Sequence, residues 1–232
     1  MLKYDKDRFK EAKELMVMEK NPIEVMDRRT LVFEALKDDI VAGNIKFGDK
    51  INENDYSIRY NISRTPLREA LSKLEMLGIV ERIPFKGVFL KSFNSARVKE
   101  IYEIRLELEN IIYKEIMNTM DEKDFKKLDK IINKSEKYSI SRNLQKFSET
   151  LEEFDDYLYS LSKKELSLKL LSELSFYLSI FKKTNPKMKE TIDEHKEIIK
   201  NLKARDENGI YETLKLHLKN ARDFVISTFE NE

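Results

Sequence analysis

Residues Ser63–Ala70, SRTPLREA, begin a helix and set its exposed face. Ser63 is a good N-cap, Pro66 is tolerated in a first turn whose amides lack intrahelical partners, and Glu69 suits the positive helix end. Leu67, Ala70, Leu71 and Leu74 recur at helical spacing until Gly78, which predicts a helix over about Arg64–Leu77. With that stripe turned inward, the leading turn presents Arg64, Thr65 and Arg68 to solvent, the two arginines one turn apart.

Upstream, Leu31, Ala35, Leu36, Ile40 and Val41 mark a helix that stops at Gly43. IKFGDKI (Ile45–Ile51) carries Gly48 in a turn, and a second helix follows over about Glu53–Asn61. Downstream, Ile79–Ile83 and Val88–Lys91 are β-prone runs bracketing Pro84-Phe85-Lys86-Gly87, which reads as a hairpin. Three helices and a hairpin, with basic residues opening the third helix, are the plan of a winged helix-turn-helix over residues 28–92. Such a recognition helix enters the major groove by its N-terminal end. Arg64 and Arg68 suit guanine acceptors or phosphate oxygens, Thr65 a phosphate or base edge, and Lys86 with Gly87 a wing on the backbone or minor groove. Arg28, Arg29 and Arg59 add phosphate contacts. Taken alone, the basic face reads more readily as the wet side of an amphipathic helix. The helix order, the proline-opened third helix and the hairpin favour DNA.

The 44 Lys and Arg nearly balance 43 Asp and Glu, so a net charge of +1 argues against coating nucleic acid non-specifically and makes any DNA contact local. No cysteine is present, which excludes disulfides and thiolate metal sites and fits a reducing compartment. The N-terminus alternates charged and apolar residues, unlike a signal peptide, and no apolar run approaches the roughly 20 residues that span a bilayer. A cytoplasmic protein is expected. Scarce Gly and Pro with abundant Lys, Glu and Leu favour helices.

Residues 1–27 read as a helical extension, with Phe9, Ala12, Leu15 and Met16 on one stripe ended by Asn21-Pro22. From Ser95, the expected cap of the next helix, no strand pattern remains. Helices are expected at about 95–118, 122–138, 141–162, 165–183, 187–203 and 207–230, divided by Asp121, Ser139, Lys163-Lys164, Asn185-Pro186 and Asp206–Gly209. The fold class is therefore mainly α, a winged helix-turn-helix of three helices plus a hairpin followed by an all-helical bundle of about six helices over residues 93–232. The chain's two histidines both lie there: His195 is in phase with Ile192, Ile198, Ile199 and Leu202, and His217 with Leu214 and Ala221. Both face the bundle interior, where they either converge on a metal or are simply buried and hydrogen-bonded.

The segment from Val32 to Leu90 resembles the DNA-binding domain of GntR-family bacterial transcription regulators. The matching features are Leu36-x-x-x-Ile40-x-x-Gly43, Phe47-Gly48-Asp49-Lys50-Ile51, the SRTPLREAL opening, Leu77-Gly78-Ile79-Val80 and Pro84-x-x-Gly87. The resemblance implies operator contacts for Arg64, Thr65, Arg68 and Gly87. RLELE (105–109), DEHKEIIKNLKARD (193–206) and LKLHLKNA (214–221) resemble the helical ligand domain of the FadR subgroup, in the branch called FCD. That branch implies a divalent metal (Zn, Ni, Mn or Fe) on an Asp and a His one helical turn apart and one His in each of two later helices. His195 and His217 match the later pair. Asp155 stands where the first histidine belongs and Leu151 where the aspartate belongs, leaving Asp155, His195 and His217 as implied ligands. A one-residue shift offers Glu152 and Asp156 instead. Arg105 matches an arginine that implies a bidentate clamp on a small carboxylate effector, its alternative being a surface ion pair with Glu109. Together these imply a homodimeric regulator of double-stranded operator DNA and not an enzyme. A metal-dependent enzyme on Asp155, His195 and His217 has no visible general base, and a helical protein-interaction module is the third reading.

Overall fold

Helix α1 (Pro22–Val41) opens on a proline, α2 (Glu53–Arg59) is capped by the Asn52 side chain accepting from the Asn54 amide, and α3 (Arg64–Met76) follows four residues later. The computed structural model describes residues 22–92, 94–180 and 187–229, with side chains from Thr30 onward. The extension stripe at Phe9–Met16 and the break at Asn185-Pro186 lie outside the described residues. Two compact units divide the chain, changing over between residues 93 and 94.

In the first unit α1 and α2 pack on α3, and Val32, Leu36, Leu67, Leu71 and Leu74 have no exposed surface. The α3 stripe is thus the buried one. Ser63 holds the N-cap position with extended backbone, but its hydroxyl makes no capping bond. Strands β1 (Lys50–Ile51), β2 (Val80–Ile83) and β3 (Gly87–Leu90) form an antiparallel sheet in the order β1-β3-β2, with Ile51 opposite Val88 and Val80 opposite Leu90. The first strand corrects the reading of Ile45–Ile51 as turn alone. Gly48 turns with φ +81, its amide donates to the Leu90 carbonyl at 2.9 Å, and the Leu90 amide returns to Asp49 at 3.0 Å.

The second unit contains six helices among the described residues: α4 (Ser95–Ile116), α5 (Glu122–Ile140), α6 (Leu144–Ser160), α7 (Glu165–Ser179), α8 (Met188–Ala204) and α9 (Glu207–Phe229). Helix α5 packs on α6 and α8, and α9 packs on α4 and α8. Ile112, Leu128, Phe147, Phe154 and Leu214 lie in their common core. Asn94, not Ser95, caps α4, accepting from the Arg97 amide at 3.0 Å. Ser139 does not divide the helices either. Helix α5 runs past it to Ile140, and the chain reverses through Arg142, held at φ +52. Gly209 likewise sits inside α9, because the left-handed Arg205 (φ +53) already ends α8 and Asp206 accepts the Gly209 amide at 2.9 Å. No described helix is long and apolar enough to cross a membrane.

Candidate nucleic-acid interface and effector site

The leading turn of α3 presents Arg64, Thr65 and Arg68 to solvent. Arg64 has no ion pair or hydrogen bond among the described residues. Arg68 donates from Nε to Glu53 at 2.6 Å, and the other Glu53 oxygen lies 3.4 Å from Nη1 of Arg82, whose Nε is 3.5 Å from Glu75. Burial pushes the Glu53 carboxyl up, but the hydrogen bonds and charges of Arg68 and Arg82 outweigh it and hold the group below its usual range. One carboxylate therefore racks two arginines side by side, a role invisible in sequence because Glu53, Arg68 and Arg82 are far apart along the chain. Glu53→Gln is expected to change unfolding free energy by less than about 1 kcal/mol, since these pairs are solvent-exposed. It is also expected to lower the ratio of specific to non-specific DNA affinity as Arg68 loses its fixed direction, a ratio measured by anisotropy on matched duplexes.

Lys86 is exposed at the hairpin tip. Gly87 has φ +115, a backbone conformation that side-chain-bearing residues rarely adopt, so the wing needs glycine, and the end of the Lys50 side chain lies close beside it. Arg59 is committed elsewhere. Its Nη2 donates to Asp39 at 2.9 Å, and Asp39, nearly buried, also accepts from the Asn44 amide group and the Tyr60 hydroxyl. Arg59 thus ties α2 to α1 while half of its side chain stays exposed. The side chains of Arg28 and Arg29 lie outside those described.

In the second unit, His195 on α8 is 2% exposed and stacks on Phe154 of α6, ring centroids 4.1 Å apart and planes at 10°. The His217 ring on α9 lies 5.0 Å from it. His217 shares a hydrogen bond between Nδ1 and Glu194 at 2.7 Å, and Glu194 also accepts from Asn220 at 2.6 Å. Burial, then the neighbouring His217, hold His195 well below its ordinary pKa, so it is neutral at physiological pH. Burial pushes His217 down too, but its bond to Glu194 and the charges of Asp155, Glu194 and Glu109 prevail and raise it. Burial and the Glu109 charge push Asp155 up to about 6, against the pull of His217 and Arg105.

Arg105 is not an open clamp. Its Nε and Nη2 both donate to one oxygen of Glu109, at 3.0 and 2.6 Å, and the Tyr159 hydroxyl donates to that same oxygen at 3.0 Å. The pair is the Glu109 partner considered from sequence, but it is buried: side-chain exposures are 14% for Arg105 and 3% for Glu109. Sequence reasoning missed Tyr159 and Glu194 as members of the site. Glu194 alone carried a signal, standing next to His195.

Comparison with known proteins matches residues 29–90 to the model of bacterial regulatory proteins of the gntR family and residues 100–220 to that of the FCD domain. The chain belongs to the GntR family and carries an FCD domain. It is a DNA-binding transcription regulator with an effector-binding domain. The HTH-type transcriptional regulator YdhC of Bacillus subtilis is 29% identical over 194 residues, covering 80% of this chain and 85% of that protein. The repressor RspR of Escherichia coli is 23% identical over 211 residues, covering 88% and 91%, and the gluconate operon repressor of Bacillus subtilis is 26% identical over 196 residues, covering 80% of each. Among solved structures, McbR/YncC of Escherichia coli shares the fold at TM-score 0.68 and 19% identity, covering 87% of this chain and 98% of that one.

The metal that the FCD resemblance implies does not fit the residues present. His195 leaves Nδ1 buried without a hydrogen bond, as a ligand would. The Glu194 bond on His217 Nδ1 leaves Nε2 for a ligand, but Leu151 packs against the apolar core at the aspartate position, and no group of three or more His, Cys, Asp or Glu among the described residues is arranged to hold a metal ion. Asp155, His195 and His217 therefore stand without the further protein donor that the resemblance implies, Leu151 occupying its position. After chelation and dialysis against zinc, nickel or manganese, elemental analysis is expected to find substoichiometric metal and calorimetry an unchanged thermal midpoint.

Proposed function

We propose that this regulator binds a pseudo-palindromic operator as a homodimer. Arg64, Thr65 and Arg68 lie in the major groove, with Lys86 and Gly87 against the backbone. The observation that carries this reading is the solvent-facing first turn of α3, with Arg64 unpaired among the described residues and Arg68 and Arg82 held by Glu53. Dimerisation is supported by exposed apolar side chains two turns apart on α4 (Ile104 and Ile111) and one turn apart on α7 (Leu166 and Leu170). Repression is the sign suggested by the names of two relatives.

The effector is a small polar molecule that meets the His195 Nδ1 atom and the Asp155 carboxylate, neither of which has a hydrogen bond among the described residues. The Arg105 guanidinium is already paired with Glu109, whose same oxygen accepts from Tyr159, so a carboxylate clamped there would have to displace that pair. By linkage, the effector acts on transcription only through different affinities for the DNA-bound and free forms. Sedimentation of the chain with a bound duplex tests the assembly: two chains per operator are expected, with log affinity falling linearly against log salt. One chain per site with equal affinity for random DNA would overturn the reading.

A further inference from the structure

The hairpin tip is built against its own conformational preference. Ile83 pairs with Gly87 across β2 and β3, leaving Pro84, Phe85 and Lys86 as the loop, and the Lys86 amide donates to the Ile83 carbonyl at 3.0 Å. Proline followed by a residue of positive φ is the pattern of a type II turn, which calls for Gly or Asn at the second of these positions. Phe85 stands there with φ +62. A bulky side chain in the left-handed region is an outlier that persists where surrounding structure or function demands it.

Nothing within the described chain explains the choice. Phe85 is 111% exposed and has no ring or cation contact among the described residues, so its ring gains nothing from folding. An Asn would relieve the backbone and wet the tip. The hairpin tip beside the ring is basic: Lys86 follows it and the Lys50 side chain reaches Gly87. An apolar ring projecting from a basic hairpin fits a polyanion with an apolar interior, in which the lysines meet phosphates and the ring meets a base step.

We infer that Phe85 is an apolar wedge that inserts from the wing into the DNA minor groove and partly unstacks a base step flanking each half-site. This rests on the winged unit reading DNA and adds to it a residue that reads deformability. Flexible pyrimidine–purine steps take such a wedge at least cost, so sequence preference extends to positions no polar side chain touches.

The test uses the full chain and the duplex it selects from a random library, with 2-aminopurine placed at successive flanking steps. Phe85→Asn is expected to keep or raise the thermal midpoint. It is also expected to weaken binding by about 5- to 150-fold, the range of a lost base–aromatic stack, and to abolish the fluorescence rise that the wild type produces at one step. Phe85→Leu, still an apolar wedge, is expected to retain most of both signals. Unchanged affinity and fluorescence for Phe85→Asn, with Arg64→Ala still weakened, would overturn the wedge alone. Loss of transcriptional control by Phe85→Asn with DNA binding intact would overturn it in favour of a protein contact. If wild type and Arg64→Ala bind all duplexes alike, the DNA reading fails and the wedge with it.

Discussion

Arg64→Ala is expected to weaken operator binding by about 5- to 150-fold, the roughly 1–3 kcal/mol carried by a good bidentate arginine–base pair. Unfolding should move by no more than about 0.5 kcal/mol, because Arg64 is exposed, makes no ion pair among the described residues, and is replaced by the best helix former. That separation of affinity from stability is what distinguishes a reading residue from the wet face of an amphipathic helix. Salt titration refines it. If Arg64 meets a base edge, the salt slope stays as it was and specificity at one position relaxes; a phosphate contact would lower the slope by about one. Arg68→Ala is a less clean probe, since it also releases Glu53 to Arg82.

Glu109→Ala should have the largest effect on stability. It removes the acceptor of both Arg105 donors and of Tyr159, and leaves a guanidinium 14% exposed without a hydrogen-bond acceptor among the described residues. Breaking a buried ion pair by removing one member costs about 3–5 kcal/mol, which for a chain of this size lowers the thermal midpoint by on the order of 10 °C. The double variant Arg105→Met/Glu109→Leu should recover most of that loss, because apolar side chains of similar volume remove the desolvation cost of both charges. Calorimetry of the three proteins checks this. Equal losses in the single and double variants would show that the site needs the charges themselves.

Much of this was readable from local chemistry. The α3 stripe, its proline-opened start and the inward-facing histidines depend on residues near in sequence, and burial of Leu67, Leu71, Leu74 and His195 follows that spacing. The two-residue strand β1 was not readable, because it exists only by pairing with β3 some forty residues later. Ser95 and Ser139 carry polar turn chemistry, but Asn94 wins the cap and Arg142 makes the reversal, choices set by backbone geometry at single positions. Arg105 and Glu109 have the spacing of a surface pair; only the packing of α4 against its neighbours buries them. The metal set is incomplete for a different reason: matching histidines fix where the rings lie, whereas a full set of donors also needs the position that Leu151 fills with an apolar side chain.

Selection of bound duplexes from a random library, run with the wild-type chain beside Arg64→Ala, tests the central claim most directly. The wild type should enrich a dyad-symmetric sequence with half-site centres about one helical turn, or a multiple of it, apart, and Arg64→Ala should lose or blur at least one position in each half. Absence of any enriched sequence, or the same sequence at the same strength from both proteins, would contradict the assignment of the α3 leading turn as the DNA reader.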